Sequence, residues 1–197
     1  MRSCFASAQP GRPIDCAGWR PGVVGMSPTR SPTFDGYEMR GRSVPVSEKP
    51  SSVAELLQGH RRIAIDSNVL IYLLEGSDHL AEVAAQLIDA VAEGRVEGVL
   101  ASLGVAEVLV GTAMAADGPL FEGTAETIRD LGLRVVSLDG LAAEDAAWIR
   151  GRTGAAMPDA IHLACAKQSG VTAFVTNDRR MPRIGQLEVV YLDDLVA

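Results

Sequence analysis

Cysteine, histidine and aromatic side chains are all scarce in this chain of 197 residues, which holds three Cys, three His, four Phe, three Tyr and two Trp. Cys4, Cys16 and Cys165 are too few and too scattered for a disulfide framework or a zinc cluster. Aromatics at 5% argue against an aromatic-heavy β-sandwich and for an aliphatic core in a helix-rich or mixed fold. Long apolar runs are missing as well. The longest, Val69 to Leu74, is far short of the roughly 20 residues needed to cross a bilayer. The first residues lack the apolar core of a signal peptide, so the expectation is a cytoplasmic protein with no membrane partner. No G-x-G-x-x-G follows the first apolar strand, so dinucleotide binding lacks its glycine fingerprint.

Positive charge is also in short supply. The formal net charge is −7, and residues 1–50 carry +3 of their own, which leaves −10 on residues 51–197. An acidic globular part excludes a broad phosphate-gripping surface and directs attention to clustered carboxylates with a cation between them.

Residues 1–52 alternate Pro, Gly, Ser and Arg with no period of 2 or 3.6, and read as a flexible, disordered leader. Met26 and Met39 are candidate internal starts, so a mis-assigned start is the alternative to a real tail. Residues 53–197 form the expected globular domain. Short β-rich runs begin with Ile63 to Asp66 and continue at Gly98–Ala101, Arg134–Leu138, Thr172–Thr176 and Glu188–Leu192. Between them lie amphipathic stretches. Leu80, Val83, Ala84, Leu87, Ile88 and Val91 share one helix face, and further helices are expected near Gly104–Met114, Glu122–Leu131, Asp139–Arg150 and Pro158–Gln168. Strands alternating with helices specify a three-layer α/β/α domain around a mostly parallel sheet of about five strands. In such sheets the ligand site lies beyond the carboxyl ends of the strands.

Four acids stand out. Asp66 closes the first strand in IAIDSNVLIYLLE and Asp178 the fourth in VTAFVTNDRRM, both beside small polar residues. Glu107, in SLGVAEVLVG, has only apolar or small neighbours on its helix, an expensive place for a charge. Asp159, in MPDAIHLACA, follows the Pro158 that opens a helix, where the dipole favours a carboxylate. Each has a bland reading as a cap or a partnered surface acid. Converging on one pocket, however, four carboxylates repel one another unless some are protonated or a cation sits among them, and an oxygen-rich set favours Mg²⁺ or Mn²⁺. Phosphodiester hydrolysis is the natural chemistry of such a site.

The segments IDSNVLIYLLE, VAEVLVG, PDAIHLACA and VTNDRRM, in that order, resemble the PIN-domain ribonucleases, and most closely the VapC-type toxins of toxin–antitoxin pairs. The resemblance covers about Ile63 to Val196. It implies a metal-dependent endoribonuclease whose acidic quartet, Asp66, Glu107, Asp159 and Asp178, is both catalytic and metal-binding. It further implies an RNA substrate, a small cognate antitoxin and a homodimer. Asn68 and Thr176 match the family's small polar positions that support the quartet. Where many relatives carry an Asp-Phe pair after the fourth acid, this chain has Arg180, Met181 and Pro182. Arg179, Arg180 and Arg183 read either as a phosphate contact for RNA or as a solvated loop. The alternatives in function are an RNA-processing nuclease without an antitoxin and a non-catalytic PIN-like module that grips a basic partner.

Two further residues have bland readings. His162, one turn after Asp159, reads as a satisfied interior histidine, with a role in orienting a carboxylate as the sharper alternative. Its i, i+3 spacing to Cys165 does not make a zinc site. Trp148 reads as core or rim packing.

Overall fold

In the computed structural model the described residues are 49–76 and 78–195. The leader's residues 1–48, with Cys4, Cys16, Met26 and Met39, lie outside them.

Five strands make one sheet: β1 (Arg62–Ile65), β2 (Glu97–Ala101), β3 (Arg134–Val136), β4 (Ala173–Thr176) and β5 (Glu188–Tyr191). Their order is β3-β2-β1-β4-β5 and every pairing is parallel. Parallel neighbours need crossovers, and seven helices run among and before the strands: α1 (Val53–Gly59), α2 (Ser67–Glu75), α3 (His79–Ala92), α4 (Ser102–Met114), α5 (Gly118–Asp130), α6 (Gly140–Thr153) and α7 (Met157–Gln168). The chain steps outward from β1 to β3, then crosses back to place β4 on the other flank of β1. Strand order therefore reverses between β1 and β4, and a crevice opens at their carboxyl ends.

Alternation along the strands divides the core into two layers. Ile63, Ile65, Ala173, Val175 and Val190 pack with α1, α2 and α3. Their neighbours Ala64, Phe174, Val189 and Tyr191 face the other way, onto α6 and α7. The sheet is thus covered on both faces, as its near-continuous apolar strands require. The expected three-layer α/β/α fold with a parallel five-stranded sheet is the one found.

Aspartates start several of the helices. Asp78 accepts from the N–H groups of Leu80 and Ala81, Asp117 from Leu120 and Asp139 from Ala142. Asp117 and the proline after Gly118 move the start of α5 well ahead of Glu122, and Ile128 is the one buried residue of that helix. α1 has no counterpart among the expected elements. It is one short helix of seven residues, capped by Ser52 and anchored by Val53 and Leu56. Trp148 stands half exposed on the rim of α6, with the Arg152 guanidinium 5.5 Å from its ring centroid. No described helix is long and apolar enough to cross a membrane.

Gly98 shows how tightly α3 closes on the sheet. A β-carbon there would come within 2.5 Å of Leu133 Cδ2 and 2.8 Å of Val91 Cγ2. Gly98→Ala is expected to cost about 1–3 kcal/mol through overpacking, read as a lowered midpoint in thermal unfolding.

Candidate active site

β1 delivers Asp66 to the crevice, and its backbone N–H is tied to Val175 O of β4 at 3.0 Å. The side chain does two jobs. Oδ1 accepts from the Ser67 N–H at 2.8 Å and so caps α2, while Oδ2 accepts from Thr176 Oγ1 at 2.6 Å and Asn68 Nδ2 at 2.9 Å. Asp66 is only 5% exposed. Burial pushes its carboxyl above the ordinary range, more than the Thr176 bond, nearby His162 and the Ser67 N–H lower it, and Glu107 adds to the rise.

Thr176, fully buried, gives its hydroxyl proton to Asp66 and accepts from Asn68 Nδ2 at 2.9 Å and the Asp178 N–H at 3.0 Å. Asn68 in turn takes the Asn177 N–H on its Oδ1 at 3.2 Å. One network therefore joins the end of β1, the first turn of α2 and the loop after β4. Asn68 and Thr176 sit against Asp66, where they hold its orientation.

α4 follows β2 without a loop and brings Glu107 across from Asp66. Glu107 Oε2 accepts from Ser67 Oγ at 2.7 Å and lies 2.9 Å from His162 Nε2. Asp66, Glu107 and His162 each offer a ligand atom within 4.8 Å of the others, a group able to hold a metal ion. Hard carboxylate oxygens beside a desolvated acid suit a divalent cation.

Asp159 and Asp178 stand outside that group. Asp159 is half-buried in the first turn of α7, one turn before His162, and accepts no side-chain hydrogen bond from a described residue. Asp178 is paired with Arg180, whose Nε lies 3.0 Å from Oδ1 and whose Nη2 lies 2.8 Å from Oδ2. Hydrogen bonding from that guanidinium holds the Asp178 carboxyl below its ordinary range. Arg179 is also engaged. It pairs with Asp193 and with Asp194 at 2.6 Å, and stacks 4.2 Å from the centroid of the Tyr191 ring. Of the three arginines considered for RNA, two are thus bound to carboxylates, while Arg183 is exposed.

Ser67 was legible only as a small turn residue, yet it joins the two acids, with its N–H on Asp66 and its hydroxyl on Glu107. His162 is interior as expected, but its partner is Glu107, and its Nδ1 has none among the described residues. A separate cavity of about 550 Å³, lined by Lys49, Glu55, His60 and Glu188 among others, lies by the amino ends of β1 and β5, away from the acids.

A parallel sheet covered on both faces, with Asp66 and Glu107 at its switch point, makes this an α/β/α domain. The PIN domain family model matches residues 63–187, and the chain belongs to that family. Among solved structures, the crystal structure of FitAcB from Neisseria gonorrhoeae is similar at a TM-score of 0.55 and 24% identity, over 68% of this chain and 99% of that one. VapBC2 from Rickettsia felis, bound to a DNA fragment from its promoter, gives 0.52 and 14%, over 66% and 98%. DNA-bound VapBC from Salmonella typhimurium gives 0.53 and 17%, over 66% and 98%. No curated protein matches the chain.

The raised Asp66 carboxyl has a signed consequence. Its folded-state proton affinity exceeds the unfolded one, so its contribution to stability is complete below about pH 3.9 and is lost as pH rises through the folded value. In EDTA, the melting temperature of Asp66→Asn minus that of the wild type is expected to grow from pH 4 upward and then level off. A flat difference across pH 4–8 would contradict the shift.

Proposed function

We propose that this chain is a metal-dependent endoribonuclease that acts as the toxin of a toxin–antitoxin pair, its activity residing in residues 53–197. The observation that carries the reading is the placement of Asp66 and Glu107 across one crevice, each fixed by its own hydrogen-bond donors. Membership of the PIN domain family and the order of the four acidic motifs support it.

In this reading Asp66 and Glu107, with Asp159 and Asp178 at the margins, hold one or two Mg²⁺ or Mn²⁺ ions. A bound ion of this kind supplies an activated water for in-line attack on phosphorus and offsets charge on the leaving oxygen. The chain's own residues do the rest. Thr176, Asn68 and the Ser67 N–H keep Asp66 in one orientation, and Ser67 Oγ keeps Glu107 in another. Burial of Asp66 excludes bulk water from one side of the site. With a water as the attacking group, no covalent enzyme intermediate would be needed.

RNA approaches a domain of net negative charge, and a cation at the crevice is what reconciles the phosphate with the acids. Arg183, exposed and five residues after Asp178 in the chain, is the arginine proposed for a phosphate contact. A small antitoxin is the proposed partner, from the resemblance to VapC-type toxins and the structural similarity to VapBC proteins. A homodimer and a cytoplasmic location follow from the same resemblance. One observation favours a second reading, a module that grips a basic partner: Asp178 already holds a guanidinium.

The test is cleavage of a mixed single-stranded RNA panel by wild type and Asp66→Asn with Mg²⁺, Mn²⁺ or EDTA. Cleavage is expected to need the metal and to fall by at least about 100-fold in the variant, the upper end of what outer-shell changes cost. Metal-independent cleavage, or full activity in Asp66→Asn, would overturn the mechanism. No cleavage, with retained binding of an arginine-rich peptide, would favour the second reading. Releasing Asp178 with Arg180→Ala is expected to tighten Mn²⁺ binding roughly two- to fivefold by calorimetry, the value of an exposed ion pair.

A further inference from the structure

His162 is the buried polar side chain that the proposed chemistry leaves without a task. It is 3% exposed, enclosed between α4 and α7, and its Nδ1 has no hydrogen-bond partner among the described residues. Its Nε2 lies 2.9 Å from Glu107 Oε2. A carboxylate oxygen accepts, so Nε2 is the donor to Glu107 and Nδ1 is left without a partner among the described residues.

Ser67 Oγ donates to the same oxygen, at 2.7 Å. Both donors therefore converge on Oε2, and Oε1 receives none from a described residue. Room for the imidazole comes from Gly104, one turn before Glu107 on α4. A β-carbon there would lie 3.4 Å from His162 Cε1 and 2.8 Å from Leu100 Cδ1.

We propose that His162 is a positioning residue: with Ser67 it pins Oε2 of Glu107 so that Oε1 is presented to the cation shared with Asp66, and it is not itself a ligand. The proposal rests on the reading of the crevice as a cation site. A ligating His162 would have to surrender its bond to Glu107, whereas a positioning His162 acts only through Glu107. These two roles predict different double-mutant behaviour.

The experiment is Mn²⁺ titration calorimetry on the full chain, comparing wild type, His162→Met, His162→Gln, Glu107→Gln and the Glu107→Gln/His162→Met double variant. His162→Met is expected to weaken Mn²⁺ binding by about tenfold or more. His162→Gln, whose amide N–H reaches the place of Nε2, is expected to recover most of the affinity. The double variant is expected to bind no more weakly than Glu107→Gln alone. Unchanged affinity in His162→Met, or additive losses in the double variant, would overturn the proposal. Where His162→Met does not fold, His162→Gln decides: a loss of tenfold or more there marks a ligand. Wild type that binds no Mn²⁺ overturns the cation reading itself. Long-range ¹H–¹⁵N spectra of metal-free protein then score the geometry separately. A proton on Nε2 whose resonance moves in Glu107→Gln upholds the pairing, and an Nε2 without a proton ends it.

Discussion

A carboxylate taken out of water at the meeting point of β1 and β4 sets the terms for everything around it. Asp66 is buried and its carboxylate needs hydrogen bonds, and its donors come from two separate pieces of chain, Ser67 and Asn68 at the start of α2 and Thr176 at the end of β4, while its own N–H is tied to the Val175 carbonyl. Those bonds fix how α2 leaves the sheet and how the loop after β4 turns. They also fix Glu107, because Ser67, whose N–H is held by the Asp66 cap, donates its hydroxyl to that second acid. The crevice is consequently a property of the core.

Much of this was legible in the residues. Apolar runs ending in Asp66 and in Asp178 mark strands whose ends meet at a switch point, and the helical spacing of Leu80 to Val91 marks the face of α3 that is buried. Both signals are local and repeat with the period of the element. α1 escaped because Val53 and Leu56, its two buried positions, are too few to establish a period. The start of α5 escaped because its first two turns bury nothing.

The site was legible in its acids but less so in its pairings. The bond of Asp66 with Asn68 is local, but Thr176, which the family resemblance singled out, lies 110 residues from it. The contacts of Glu107 are not local either, since Ser67 is 40 residues and His162 is 55 residues away along the chain. Nor does composition reveal that Arg179 and Arg180 turn to carboxylates instead of standing free as a basic cluster. Charge therefore divides across the crevice, with an acid desolvated at one side and an acid already neutralised by its own chain at the other.

The Arg179 pairings have a mechanical side. The turn at Leu192–Asp194 is fastened to the loop carrying Asp178 twice, through Arg179 and through the Asp193 N–H on Asn177 Oδ1 at 3.2 Å. Asn177 is in turn bonded through its backbone to Asn68. The loop beside the acids is thus braced from the turn that follows β5, so a shift of that turn would be felt at Asn68 through Asn177.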